Sequence, residues 1–277
     1  MLRFRLNVFL LFIINIAGST FYSYSLTKPT AIILDLSGVL FKENTTVLRQ
    51  KIGLATLASY ALTHWKNPST VCFDLLETMS KHNEHQPPVQ FKFKKKIMPR
   101  CIVEWHQGYK TCEQVQTELV NFIEQVAQEN YFSSEQEKNL IRQIITLIFD
   151  REQLPTLTQP IASMIELIKQ LKDAGYRLFF LTNAPHELYN TIKTHYSEIM
   201  NLFDGGIISC QTHILKPNKQ MFTNILDTYQ LNSQKCIFID RKEENILAAQ
   251  ECGIHAITYQ KTSLLIKQLK ELGICIN

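Results

Sequence analysis

The apolar positions of the chain follow two rhythms. Short unbroken runs read as strands buried on both faces: "AIIL" (31–34), "YRLFFLT" (176–182), "GIIS" (206–209), "CIFID" (236–240) and "HAITY" (255–259). Between the first two runs Ile161, Met164, Ile165, Ile168 and Leu171 recur at helical spacing, and Gly175 stops that helix. Residues 218–230, 243–252 and 262–272 carry the same helical period. Strand–helix alternation predicts a parallel sheet covered by helices on both faces, a doubly wound, Rossmann-like α/β core. Residues 51–154 break the alternation. Stretches such as "EQVQTELVNFIEQV" and "EQEKNLIRQIITLIF" are helical throughout and strand-like runs are few. The expected organisation is a core built from residues 28–50 and 155–277, with an all-helical insertion over 51–154.

The N-terminus has a different texture. Arg3 and Arg5 precede an apolar stretch from Val8 to Ala17, and no charged residue occurs from Leu6 to Thr27. A basic head, an apolar segment and small residues such as Ala17 and Ser19 predict a signal peptide or N-terminal anchor over residues 1–25, outside the fold. The expected location is therefore periplasmic, secreted or anchored at a membrane through that segment alone. The net charge of +4 is too mild to argue for nucleic acid. None of the seven cysteines makes a C-x-x-C pair, so a zinc site is not expected. An exported chain would pair its thiols, whereas Cys236 and Cys252 lie in apolar and helical patterns as buried hydrophobes.

Chemistry gathers at the strand ends. Asp35 ends the first run, Thr182 and then Asn183 end the second, Lys216 follows the third in "HILKPNKQMF", and Asp240 ends the fourth. Parallel strands bring such ends to one edge of the sheet, where open α/β sheets keep their ligand crevice. A lone Asp before Ser37 and Gly38 also reads as a turn initiator, so the convergence, not the single residue, points to function. Two carboxylates, a hydroxyl and an ammonium at one crevice suit phosphoryl transfer.

The ordered stretches "AIILDLSGVLF", "LFFLTN", "LKPNKQMF" and "CIFIDRKEENILAAQECGI" resemble the four motifs of the haloacid dehalogenase superfamily of hydrolases. The insertion after the first motif is where that family carries a helical cap. Within it "WHQGYKTCEQV" is similar to a stretch of the branch with sugar-phosphate phosphatases and the N-terminal phosphatase domain of epoxide hydrolases. The resemblance implies a phosphorylated small-molecule substrate. It casts Asp35 as nucleophile, Thr182 and Asn183 as contacts to the phosphoryl group or its surroundings, and Lys216 as the offset to negative charge. It implies Mg²⁺ held by Asp35, Asp240 and the Ser37 backbone carbonyl.

Two positions depart from the family pattern. Ser37 stands where most of its phosphatases carry a second Asp that protonates the leaving group. Arg241 stands where a second metal-supporting carboxylate is usual, and a guanidinium beside Mg²⁺ would weaken it unless Glu244 supplied the lost carboxylate. These departures keep two other readings open, a metal-independent dehalogenase and a non-catalytic binding protein on the same fold. His106 and His186 are candidates for the missing acid, although packing explains each equally well. His82 and His85 in "HNEHQPP" read as a surface loop, and "FKFKKKIMPR" (91–100) as a solvated face of the insertion.

Overall fold

The computed structural model describes residues 29–64, 67–93 and 95–276. The leader expected over residues 1–25 lies outside the described residues. Among those described, no helix is long and apolar enough to cross a membrane.

The chain enters through β1 (Ala31–Leu34) and the short β2 (Phe41–Glu43). It then runs through α1 (Thr45–Ile52), α2 (Leu54–His64) and α3 (Pro68–Lys81). A small hairpin follows, β3 (Lys92–Phe93) and β4 (Lys96–Ile97), then α4 (Arg100–His106), α5 (Cys112–Gln128), α6 (Glu135–Ile148) and α7 (Leu154–Leu157). It returns through β5 (Thr158–Pro160), α8 (Ala162–Asp173), β6 (Arg177–Thr182), α9 (His186–His195), α10 (Ser197–Met200) and β7 (Gly205–Ile208). The rest is α11 (Ser209–Thr212), α12 (Lys219–Thr228), β8 (Cys236–Asp240), α13 (Glu243–Glu251), β9 (His255–Thr258) and α14 (Thr262–Glu271).

The parallel sheet runs β7–β6–β1–β8–β9. The uninterrupted apolar runs end up here because both faces are covered. Ile32 and Leu34 pack with Met164, Leu167 and Leu171 of α8 and Leu265 and Leu269 of α14. Ala31 and Ile33 face the other way, with Met221, Phe222 and Ile225 of α12 and Ile246 and Ala249 of α13. The chain moves outward from β1 through β6 to β7, then crosses back to β8 and β9. Its order reverses at β1, so a crevice opens beyond the end of that strand.

Between β2 and β5 the helices build a core of their own, with Leu75, Met79, Val103, Leu119, Phe122, Ile141 and Ile145 buried together. α1 contacts α2, α6 and α7, so this unit begins at Thr45, earlier than the pattern placed it. β2 and β5 pair antiparallel across its neck. The unit is not wholly helical. β3 and β4 pair antiparallel, and Lys95 turns between them at φ 68°. Lys and Phe alternate over 91–96 because one face of this ribbon packs inward. Phe93 stacks on Phe73 at 5.4 Å, and Lys96 pairs with Asp74 and, at 3.0 Å, with Glu77.

All seven cysteines are free thiols, and Cys72, Cys101, Cys112, Cys210 and Cys236 are buried. Burial pushes the thiols of Cys72, Cys101, Cys112 and Cys236 up to about 12.

Phe222 of α12 and Phe238 of β8 meet edge to face at 5.2 Å, both fully buried. Phe222→Ala should therefore lower the unfolding free energy by about 3–5 kcal/mol in urea titrations. Leu62→Ala, at a site 79% exposed, should stay within about 0.5 kcal/mol of the parent.

Candidate active site

The switch point holds the converging side chains. The Asp35 amide donates to the Ile239 carbonyl at 2.9 Å, so the sheet ladder continues one residue past β1. The residue is thereby held directly beside Asp240, the last residue of β8. Thr182 ends β6 on the other side. Lys216 arrives from the loop between α11 and α12, and its ammonium reaches Asp240 Oδ2 at 2.7 Å, the Leu181 carbonyl at 2.6 Å and Asp35 Oδ1 at 3.3 Å. Asp35, Thr182, Lys216 and Asp240 are all buried. The structure thus brings together four residues that the chain spreads from 35 to 240.

Electrostatics bind the cluster. Burial raises the Asp35 pKa above its ordinary 3.8; Lys216 pulls it down, Asp240 pushes it up, and the Thr182 hydroxyl lowers it further. Burial alone would depress the Lys216 ammonium. The carboxylates, Asp240 ahead of Asp35, outweigh that and hold its pKa above 10.5. Asp35 Oδ1 and Thr182 Oγ1 nonetheless receive no hydrogen bond of good geometry among the described residues. Buried polar atoms of this kind are costly unless something completes them.

Other expected site residues have different positions. The Asn183 carboxamide braces the loop that carries Lys216. Its Nδ2 donates to the Lys216 carbonyl at 3.0 Å, and its Oδ1 accepts from the Lys216 amide at 2.9 Å. That places Asn183 in the surroundings of the cluster, holding the Lys216 loop. Ser37 is exposed, in the turn that Gly38 closes at φ 77°. Arg241, where a cation beside Mg²⁺ was anticipated, stays close to the turn after β1. Arg241 is exposed and lies over Gly38, with its Cδ 2.8 Å from where a Cβ would stand. Glu244 is also exposed and does not reach the cluster. The neighbouring Asn245 does, donating to Asp240 Oδ2 at 2.8 Å from a buried side chain.

The two candidate histidines differ in setting. Burial pushes His106 down to about 4, so its ring is neutral at pH 7, and its Nδ1 lies 3.0 Å from the Ile102 carbonyl. His186 is exposed at the start of α9. Lys242, which the sequence did not single out, stands near the cluster. Its amide donates to Asp240 Oδ1 at 2.9 Å, and burial lowers its ammonium pKa against the pull of Asp35, Glu244 and Asp240.

The "WHQGYKTC" stretch forms the seam between the helical unit and the sheet. Gln107 donates to the His213 carbonyl at 2.8 Å, and Tyr109 stacks on His213 at 4.6 Å. Glu187 accepts from the Cys112 amide at 2.8 Å and from Trp105 Nε1 at 3.2 Å. Gly108 sits against the Cys210 carbonyl, which a Cβ would approach to 2.4 Å, so only glycine fits.

For a metal, the crevice offers the carboxylates of Asp35 and Asp240 and the nearby Ser37 carbonyl. Among the described residues no group of three or more His, Cys, Asp or Glu side chains forms a metal cluster. Two carboxylates facing one paired ammonium leave net negative charge, and Asp35 Oδ1 still lacks a hydrogen bond of good geometry. A hard cation completed by waters fits such a set.

Comparison with known proteins agrees with this geometry. A family model for haloacid dehalogenase-like hydrolases matches residues 29–253, and the chain belongs to that family. It is 27% identical over 117 residues to the sesquiterpene phosphatase astK of Aspergillus oryzae, a match over 42% of this chain and 59% of that protein. It is 24% identical over 112 residues to bifunctional epoxide hydrolase 2 of Rattus norvegicus, covering 39% of this chain and 20% of the relative. The chain thus spans only part of the length of these relatives. Among solved structures, a haloacid dehalogenase family enzyme of Bacteroides thetaiotaomicron, in complex with magnesium and inorganic phosphate, shares the fold. Its TM-score is 0.51 at 15% identity, over 84% of this chain and 94% of that one.

Lys216→Met leaves two buried carboxylates without their cation. Breaking a buried pair on one side should destabilise the fold by about 3–5 kcal/mol at neutral pH. The effect has a sign in pH. Asp35 already titrates above its unfolded value, and loss of the ammonium raises it further. A carboxyl with a raised folded pKa binds more protons folded than unfolded, so stability falls as pH rises above 3.8. Urea midpoints of the variant should therefore recover towards the parent's at pH 4 and separate most at pH 7.

Proposed function

We infer that this haloacid dehalogenase-like hydrolase is a phosphatase that cleaves a small phosphate monoester through an aspartyl-phosphate on Asp35. One observation carries the reading. A buried carboxylate oxygen, Asp35 Oδ1, lacks a hydrogen bond of good geometry and stands 3.3 Å from the Lys216 ammonium at the switch point of the sheet. An oxygen so placed is a competent nucleophile, and a fixed neighbouring cation offsets the charge that a phosphate brings. In the first step that oxygen bonds to phosphorus, the bond from phosphorus to the ester oxygen breaks, and the alcohol leaves with a proton. Water then releases inorganic phosphate and restores Asp35. The Thr182 hydroxyl, beside Asp35, is placed to donate to a phosphoryl oxygen.

Mg²⁺ fits the donor set of Asp35, Asp240 and the Ser37 carbonyl, and solved relatives with magnesium support it. When bound it would supply a hard cation facing the phosphate charge. Asn245 and the Lys242 amide hold the Asp240 carboxylate in place for that role. Ser37 is too weak an acid to protonate an alkoxide, and His106 is neutral. The leaving group is therefore one that departs without a strong protein acid, such as an anomeric or acyl phosphate, or one protonated by water. Relatives named as a sesquiterpene phosphatase and as the flavin mononucleotide hydrolase 1 of Arabidopsis thaliana support a phosphorylated small molecule. The Arg-headed apolar N-terminus supports export or anchoring.

A panel of phosphate esters, assayed for inorganic phosphate with and without Mg²⁺, tests the reading. Mg²⁺-dependent release that falls to the uncatalysed level in Asp35→Asn supports it. Halide release from 2-haloacids without Mg²⁺ would favour a dehalogenase, and no turnover of either class a binding protein. Because the Arg241 charge is exposed and screened, Arg241→Ala should shift the half-saturating Mg²⁺ concentration by less than about threefold.

A further inference from the structure

We propose that Lys242 is the cation that binds the phosphate of the substrate, held beforehand on the β3–β4 hairpin and transferred to the phosphate when substrate enters. The proposal rests on the phosphatase reading and extends it to a residue that the family resemblance leaves without a role.

Lys216 cannot serve a new ligand freely. An ammonium carries three protons. Those of Lys216 face Asp240 Oδ2, the Leu181 carbonyl and Asp35 Oδ1. Lending one to a phosphate would strip a buried carboxylate or a strand-end carbonyl. Its charge is also shared between two carboxylates, so a further cation at the crevice strengthens the hold on a phosphate dianion.

Lys242 can supply it. Its main chain is tied to the site, because its amide donates to Asp240 Oδ1. Its ammonium is half-buried and makes no ion pair with any described carboxylate. It donates to the Lys92 carbonyl at 3.1 Å and lies over the Phe91 ring at 4.7 Å and the Phe93 ring at 6.0 Å. A neutral carbonyl and two ring faces are weak partners beside a dianion, whose full charge adds Coulombic attraction to the hydrogen bond. A phosphate in the crevice therefore draws the ammonium from the hairpin.

Inorganic phosphate is the probe. Titration calorimetry on the full chain should show Lys242→Met weakening phosphate binding by about tenfold or more, the cost of one charge-assisted hydrogen bond. KM for a 4-nitrophenyl phosphate substrate should rise by a similar factor, while kcat changes less. Lys242→Arg keeps the charge and should recover most of the affinity, whereas a merely structural latch would be broken in both variants. Wild-type phosphate affinity should also fall with added salt more steeply than that of Lys242→Met. Equal phosphate affinity in wild type and Lys242→Met, with turnover intact in both, overturns the proposal alone. Equal losses in the Met and Arg variants overturn it too. A wild type that neither binds inorganic phosphate nor hydrolyses any ester overturns the phosphatase reading and this proposal with it.

Discussion

The structure depends on one ammonium. Lys216 stands between the carboxylates of Asp35 and Asp240, and without it two negative charges would share a water-free pocket at the centre of the sheet. Buried ion pairs are poor sources of stability, because desolvation offsets most of the attraction. Their presence at a switch point speaks instead for a geometry that the chain must hold. Much of the surrounding architecture serves that end. The sheet ladder fixes Asp35, Asn183 clamps the backbone of Lys216 from both sides, and Asn245 and the Lys242 amide orient Asp240.

The same ammonium ties distant parts of the chain into one cooperative unit. Its partners come from β1, β6 and β8, and its own loop packs under the seam made by "WHQGYKTC". Gln107, Tyr109 and Glu187 join the helical unit to the segments that flank the crevice. Gly108 makes this contact intolerant of any side chain, which explains why the stretch reads as a motif although it touches none of the converging charges.

Much of this was legible in the sequence, for physical reasons. Apolar runs buried on both faces declare parallel strands, and a polar residue that ends such a run must sit at the sheet edge. Asp35, Thr182, Lys216 and Asp240 were therefore placed together before any coordinates. Asn245 and Lys242 were not, because their importance depends on where the turn after β8 aims the first residues of α13. Glu244 looked equivalent by helical spacing and faces solvent. The β3–β4 hairpin did carry a signal, the alternation of Lys and Phe over 91–96, but its cations disguised a half-buried ribbon as a charged surface. Asn183 follows Thr182 and looked like a ligand contact. Only the loop geometry shows that both its amide atoms are occupied by the backbone of Lys216.

The thiols have a consequence for how long the protein lasts. Reaction with oxidants and with other thiols proceeds through the thiolate. Burial that holds four thiols near 12 leaves almost none of them ionised at neutral pH, so the packed core shields the thiols from reaction. That protection ends with any opening of the fold. The five buried thiols then meet solvent at once, alongside Cys275, which is already exposed, and an oxidising compartment would trap the open chain in wrong pairings before it could close. The lifetime of this protein outside a reducing environment is therefore set by the rate at which its two cores open, rather than by the reactivity of any one cysteine.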